Sequence, residues 1–163
     1  MLAVDTAMDA LGRGMQDSRG HKKEGIGLID VTSALGERKH GPAVGRPVPA
    51  LGLPAMSGWI DSQQALVRGD SVGPFLRLEI GAGDQGDEDG FLSGHVIGTR
   101  LHGPVLARNP ELADLVIAWA QGLAPAELAP LPGGMAEEAR RQRITEDRSA
   151  SSGRRAALFK RKS

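Results

Sequence analysis

Histidine is the residue type whose placement carries the clearest chemistry in this chain. An imidazole titrates near neutrality and can take up and return a proton, so a histidine held beside a nucleophile is a general base. The chain has four, His21, His40, His95 and His102. The first three lie in polar or mixed stretches that ask only ordinary surface or packing roles of them. His102 has a different context, the run Gly98-Thr99-Arg100-Leu101-His102-Gly103-Pro104, where a strand-like segment ends in a turn. Amide hydrolysis needs such a base together with a strong nucleophile. The chain contains no cysteine, which excludes thiol catalysis within it, along with disulfides and zinc thiolate sites. No metal or other cofactor is expected. The acidic run Asp87-Glu88-Asp89 misses the spacing of an EF-hand loop and reads as a solvated turn.

The elements that must hold these residues follow from the pattern of apolar and turn-forming positions. Residues 1–4 predict a short strand, then a sharp turn, then a helix over 7–15 with Met8, Leu11 and Met15 near a 3.6-residue spacing. The aliphatic stretch 26–31 predicts a second strand. Between 41 and 54 the prolines and glycines rule out a long helix, leaving short strands and loops, with 43–48 an edge strand that tolerates Pro47. Residues 75–80 alternate, with Leu76, Leu78 and Ile80 on one face and Phe75, Arg77 and Glu79 on the other. Residues 91–99 read as one strand that delivers the chain to His102. Asn109, Pro110 and Glu111 form a helix start, with Asn109 as N-cap. That helix runs to about Gln121 with Leu112, Leu115, Val116 and Trp119 on its apolar face, and Gly122 closes it.

The seven-residue run ending in His102-Gly103-Pro104, followed by Asn109-Pro110, resembles the Gly-Thr-Tyr-Leu-His-Gly-Pro signature of CobB/CobQ-like, cobyric-acid-synthase-type class I glutamine amidotransferases. Within that group, Gly25-Ile26-Gly27-Leu28-Ile29-Asp30 is similar to the Gly-Leu-Gly-Leu-Leu-Asp strand of the GatD family, the glutamine-hydrolysing subunits of lipid II isoglutaminyl synthase. In that family a cysteine at a strand-to-helix elbow attacks the side-chain amide of glutamine and a histidine relays the proton. Ammonia then passes to a Mur-ligase-like (MurT-type) partner that amidates lipid II during peptidoglycan synthesis. The resemblance implies that His102 is the proton-relaying histidine. It also carries the family's Cys-Gly-Gly-Tyr-Gln-Leu-Leu-Gly elbow onto Asp5-Thr6-Ala7-Met8-Asp9-Ala10-Leu11-Gly12, so Asp5 stands at the nucleophile position. A carboxylate is a far weaker nucleophile than a thiolate toward an unactivated amide, and Asp5 is not expected to catalyse. Thr6 offers a hydroxyl aimed the wrong way, and Thr6 and Ala7 are expected to strain a turn that the family builds with glycine.

Arg38 aligns with an arginine that contacts glutamine in the family, where a guanidinium suits a carboxylate. Taken alone, it is equally a solvated member of the run Glu37-Arg38-Lys39. The family's Glu-Asn-His segment corresponds to Ile60-Asp61-Ser62, where that feature is lost. Gly81-Ala82-Gly83-Asp84 resembles a Gly-Asn-Gly-Asp turn and reads as structural.

The fold so implied is α/β, the C-terminal part of a three-layer Rossmann-like class I glutamine amidotransferase domain with a mixed sheet. The family has strands, helices and a glycine-rich loop before the elbow, so the sequence predicts a partial domain whose exposed edge another chain covers, or else a gene fragment. Residues 1–122 form that partial domain, 123–134 a Pro/Ala linker, and 135–163 a loosely docked charged helix and a basic tail. The expected role is a glutamine amidotransferase-family subunit, inactive alone, of a family that supplies ammonia to a Mur-ligase-like partner. The alternatives are a non-catalytic scaffold that binds a ligase or glutamine, and amidation of the cobyric acid type. Twenty Lys and Arg balance twenty Asp and Glu, which draws the chain to neither nucleic acid nor an anionic membrane. No apolar run reaches the ~18 residues of a spanning helix, and a cytoplasmic location is expected.

Overall fold

The computed structural model describes residues 1–129 and 134–160, with side chains as far as Ser152. In chain order, β1 (Leu2–Val4) turns at Asp5 directly into α1 (Thr6–Leu11), and a small antiparallel pair follows, β2 (Gly14–Gln16) and β3 (Lys22–Glu24). The two longest strands are β4 (Val31–Pro47) and β5 (Met56–Arg68). They pair antiparallel along almost their whole length, with an irregularity between Leu35 and Lys39. Next come β6 (Leu76–Ile80), β7 (Glu88–Asp89), β8 (Phe91–Ser93) and β9 (Val96–Thr99). The described helices end with α2 (Val105–Arg108), α3 (Pro110–Gln121) and α4 (Met135–Lys160). The result is a mixed α/β fold with two mixed sheets. One has the order β1-β9-β8, with β1 parallel to β9; the other is built on β4, which pairs with β2 in parallel and with β5 and β6 in antiparallel fashion.

Two apolar clusters hold these layers together. Met56, Ile60, Leu76 and Leu78 from the large sheet meet Ile97, Leu101, Leu112 and Leu115. A second cluster of Ala3, Met8, Ile29, Val31, Leu66 and Phe91 lies beneath α1. Helix α3 has the bounds its caps predict, and Gly122 closes it in the left-handed region at φ 70°. Asn109 does not cap with its side chain, however. Its amide spans to β5 instead, accepting from Ser57 N at 2.9 Å and donating to Ser57 O at 2.9 Å and Val105 O at 2.7 Å.

Several elements differ from the sequence-based expectation, each for a physical reason. Residues 26–30 are not a strand: Ile26 N, Gly27 N and Ile29 N donate to the carbonyls of Ala10, Gly12 and Leu11. They satisfy acceptors at the end of α1 that a helix terminus leaves open. Gly25 makes this approach possible, since a Cβ there would lie 2.2 Å from Gly12 O. Helix α1 stops at Leu11 rather than Met15 because Gly12 packs against the Val31 carbonyl and Gly14 enters β2. Of the segment 43–48, residues 43–47 belong to the centrally placed β4, not to an edge, and Pro47 ends it. Strand β6 alternates as predicted, except that Phe75, just before it, is fully buried. Residues 91–99 form the hairpin β8–β9, which reverses at Gly94 with φ 53°.

Helix α4 docks more firmly than its charged composition predicts. Ile144 is buried, Arg140 donates to Ala55 O at 2.8 Å and Glu111 Oε1 at 2.7 Å, and Arg148 donates to Glu79 Oε2 at 2.5 Å. The linker contains a short 3-10 turn, Pro125–Glu127. Its residues 130–133 lie outside the described residues, as do Arg161 and Lys162 of the predicted basic tail; the backbone of Arg154, Arg155 and Lys160 belongs to α4. No described helix is long and apolar enough to cross a membrane.

Candidate functional site

Strand β1 brings its last residues beside β9 in parallel, with Val4 opposite Thr99. Asp5 N extends that register by donating to Thr99 O at 3.0 Å, while Asp5 O accepts from Met8 N at 2.9 Å and opens α1. Between a strand and a helix that both claim its backbone, Asp5 adopts φ 51° and ψ −118°. Among the described residues it is the one non-glycine with positive φ. Such conformations persist where the surroundings over-determine them, and they gather at functional sites. The strain expected at Thr6 and Ala7 therefore falls on Asp5; those two are ordinary helical residues.

Past β9 the chain passes Arg100 and Leu101 and joins β5 by a bridge between His102 and Trp59, in which His102 N donates to Trp59 O at 2.6 Å and Trp59 N to His102 O at 3.2 Å. This seats the imidazole over the elbow. His102 Nε2 lies 3.8 Å from Asp5 Oδ1, beyond a direct hydrogen bond, and is buried without a partner. The two positions singled out from the sequence, 97 residues apart by their numbers, thus face one another.

Arg38 lies apart from them. Its guanidinium makes a forked pair with Asp61, at 3.0 and 3.2 Å from Nη2, and His40 approaches the same carboxylate at 3.4 Å while packing edge-on to Trp59. The Arg38 guanidinium, first of all by hydrogen bonding, holds the Asp61 carboxyl below its usual range. Of the other histidines, His21 pairs with Asp17, and His95 stacks on Trp119 with ring centroids 4.6 Å apart.

The dominant feature of the site received no role in the sequence analysis. Arg100 is the largest fully buried side chain, and its guanidinium faces Asp5 Oδ1 at 3.3 Å, Asp9 Oδ1 at 2.8 Å and Asp84 Oδ1 at 3.4 Å. Ser33 Oγ donates to the same Asp9 oxygen and accepts from Arg100 Nη2 at 3.4 Å. Burial pulls the Arg100 pKa down, but the hydrogen bond to Asp9 and the charges of Asp84, Asp9 and Asp5 outweigh it and hold the group above the usual arginine value. Asp84 also accepts from Leu66 N at 3.3 Å and Gly90 N at 3.0 Å.

The predicted solvated turn is therefore corrected at Asp89. Asp87 is exposed, whereas Asp89 is fully buried and accepts from Thr99 Oγ1 at 2.6 Å and Arg100 N at 3.2 Å. The Gly81-Ala82-Gly83-Asp84 turn serves structure as expected, by aiming Asp84 inward. One signal for this cluster did exist in the sequence. The two motifs that the sequence resembles have cysteine, glutamine and tyrosine where this chain has Asp5, Asp9 and Arg100. Asp5 and Asp9, neighbours on the elbow, meet Arg100 from far along the chain in one ion cluster.

Burial and the neighbouring Asp84 charge push the Asp89 pKa up to about 7, against the hydrogen bonds from Thr99 and Arg100. Because the folded-state value exceeds the unfolded one, the native chain binds more protons in the window between them. This group's contribution to stability is therefore full at low pH and is lost as pH rises from about 4 to about 7. Denaturant unfolding of the wild type and Asp89→Asn at about pH 5 and about pH 8 should show the wild type losing a few kcal/mol relative to the variant across that interval. A difference between the two proteins that is independent of pH would mean that Asp89 ionises normally.

Compared with protein-family models the chain matches none, and no curated protein matches it.

Proposed function

We propose that the chain is a glutamine amidotransferase-like subunit of the GatD type, built on the three-layer Rossmann-like plan of that family, whose hydrolytic centre has become a fixed ion cluster. The observation that carries this reading is Asp5 in a strained strand-to-helix elbow with the His102 imidazole 3.8 Å from its carboxylate. An elbow of this kind presents a side chain to a substrate, and a histidine across from it is placed for proton transfer. The parallel pairing of β1 with β9 supports the Rossmann-like plan, since it sets the elbow and the histidine at the same ends of adjacent strands.

Asp5 argues against turnover. Its carboxylate is a poor nucleophile toward an amide, and its engagement with Arg100 withdraws it further. On this reading the chain serves a Mur-ligase-like partner as a non-hydrolysing subunit, with glutamine as a possible ligand and lipid II amidation as the process. Arg38 could meet a glutamine carboxylate only by exchanging its pair with Asp61. The assay is glutamine hydrolysis by the chain alone and with a Mur-ligase-like subunit. No glutamate release above the uncatalysed background is expected in either case, and robust turnover would overturn the non-hydrolysing assignment.

A further inference from the structure

A second group of cations lies outside the Asp5–His102 elbow, where the end of α2 meets the first half of α4 across the start of β5. A cleft of about 190 Å³ there is lined by Arg108, Arg140, Arg143 and Ser57, and alanines on both helices leave its centre open. Two of the four carry polar atoms with no partner although they are shut off from solvent: the Ser57 hydroxyl, on a residue that is 0% exposed, and Arg140 Nε, on a residue that is 7% exposed. Asn109 occupies both backbone groups of Ser57, so the hydroxyl is the group left over. An unsatisfied buried polar atom in a folded chain calls for an explanation such as a missing ligand.

The charge balance points to the sign of that ligand. Arg140 is neutralised by Glu111 at 2.7 Å. Arg108 and Arg143 make no ion pair with another described residue. Burial, and next the charge of Arg143, hold Arg108 below the usual arginine value, and Asp147 opposes this without reversing it. Two guanidiniums crowded together in this way are relieved by an anion between them, and the planar guanidinium fork matches the oxygens of a phosphoryl group. The volume falls below the ~300 Å³ at which pockets begin to enclose drug-sized ligands, so the cleft suits one phosphoryl group rather than a whole nucleotide.

We propose that the cleft between α2, α4 and β5 binds a phosphoryl oxyanion, either inorganic phosphate or the phosphate end of a larger monoester, through Arg108, Arg143, the Ser57 hydroxyl and Arg140 Nε. The position also ties the site to the elbow, because Arg108 packs 3.8 Å from where a Cβ on Gly103 would lie, one residue past His102.

The experiment is calorimetric titration of the full chain with inorganic phosphate and, separately, with phenyl phosphate, at fixed ionic strength, with acetate as the control anion. Arg143→Ala and Arg108→Gln are the variants, and Arg140 is left intact because it anchors α4. Thermal unfolding checks that both variants fold. Saturable binding of either phosphoryl probe that weakens roughly tenfold or more in each variant is the expected result. Tighter binding of phenyl phosphate would identify a monoester as the ligand, and tighter binding of phosphate the free ion. No saturable binding of either probe, binding unchanged in folded variants, or equal binding of acetate would overturn the proposal.

Discussion

Arg100→Met will cost the fold about 3–5 kcal/mol, the loss expected when one partner of a buried ion pair is removed and the other is left uncompensated. Methionine fills a comparable volume, so packing contributes little to the loss. What remains is a set of carboxylates, Asp5, Asp9 and Asp84, that have lost their common cation; Asp9 is 2% and Asp84 7% exposed. Domains are stable by only about 5–15 kcal/mol, so the variant will unfold at much lower denaturant, and a lowered midpoint in urea is the measurement. Adding Asp9→Leu to Arg100→Met should recover part of the loss, because it removes one of the stranded charges. If the double variant is less stable than the single by the full cost of a further core substitution, the pair is not coupled as the 2.8 Å contact implies.

Gly90→Ala will cost roughly 3 kcal/mol or more by an unrelated route. Gly90 follows the buried Asp89 at the point where β7 gives way to β8, and it holds φ 66°. A Cβ there would lie 1.9 Å from Gly98 O, a backbone atom of the paired strand β9 that cannot swing aside. Left-handed backbone and overpacking each cost on the order of 1–3 kcal/mol. Because Gly90 N also donates to Asp84, the distortion will spread into the Arg100 cluster. The check is a thermal melt together with amide exchange at β8 and β9; a variant with wild-type stability would show that this turn is free to open.

The parts of the fold legible in the sequence are those decided locally. Helix α3 announces itself because Pro110, Glu111 and Gly122 act on their own neighbours, and β6 because its alternation is intact. Residues 26–31 mislead because an aliphatic run looks the same whether its amides serve a sheet or the end of a helix. Here the amides of Ile26, Gly27 and Ile29 serve the end of α1, 15 to 18 residues back. The site divides the same way. Asp5 and His102 emerge from motif positions, and the geometry places them face to face. Asp84 and Asp89 stay hidden because their local composition is that of a surface turn. Only the tertiary return of β9 alongside β1 and β8 buries them around Arg100 and Thr99. Arg38 pairs with Asp61 for a similar reason: its partner is on the facing strand, beyond any local window.

The central claim is that Asp5 occupies a nucleophile position, opposite a proton-relaying His102, from which the nucleophile has been lost. The most direct measurement is the alkylation rate of the Asp5→Cys variant by a glutamine-mimicking chloroketone, in which a thiolate displaces chloride, followed by intact mass and peptide mapping. The account predicts one adduct, at position 5, formed faster than with a chloroketone lacking the amino-acid end and slowed at least about tenfold when His102→Ala is added. The unsubstituted chain should take up no label. A variant that reacts no faster with the glutamine mimic than with the plain chloroketone, or as fast without His102 as with it, would contradict the account.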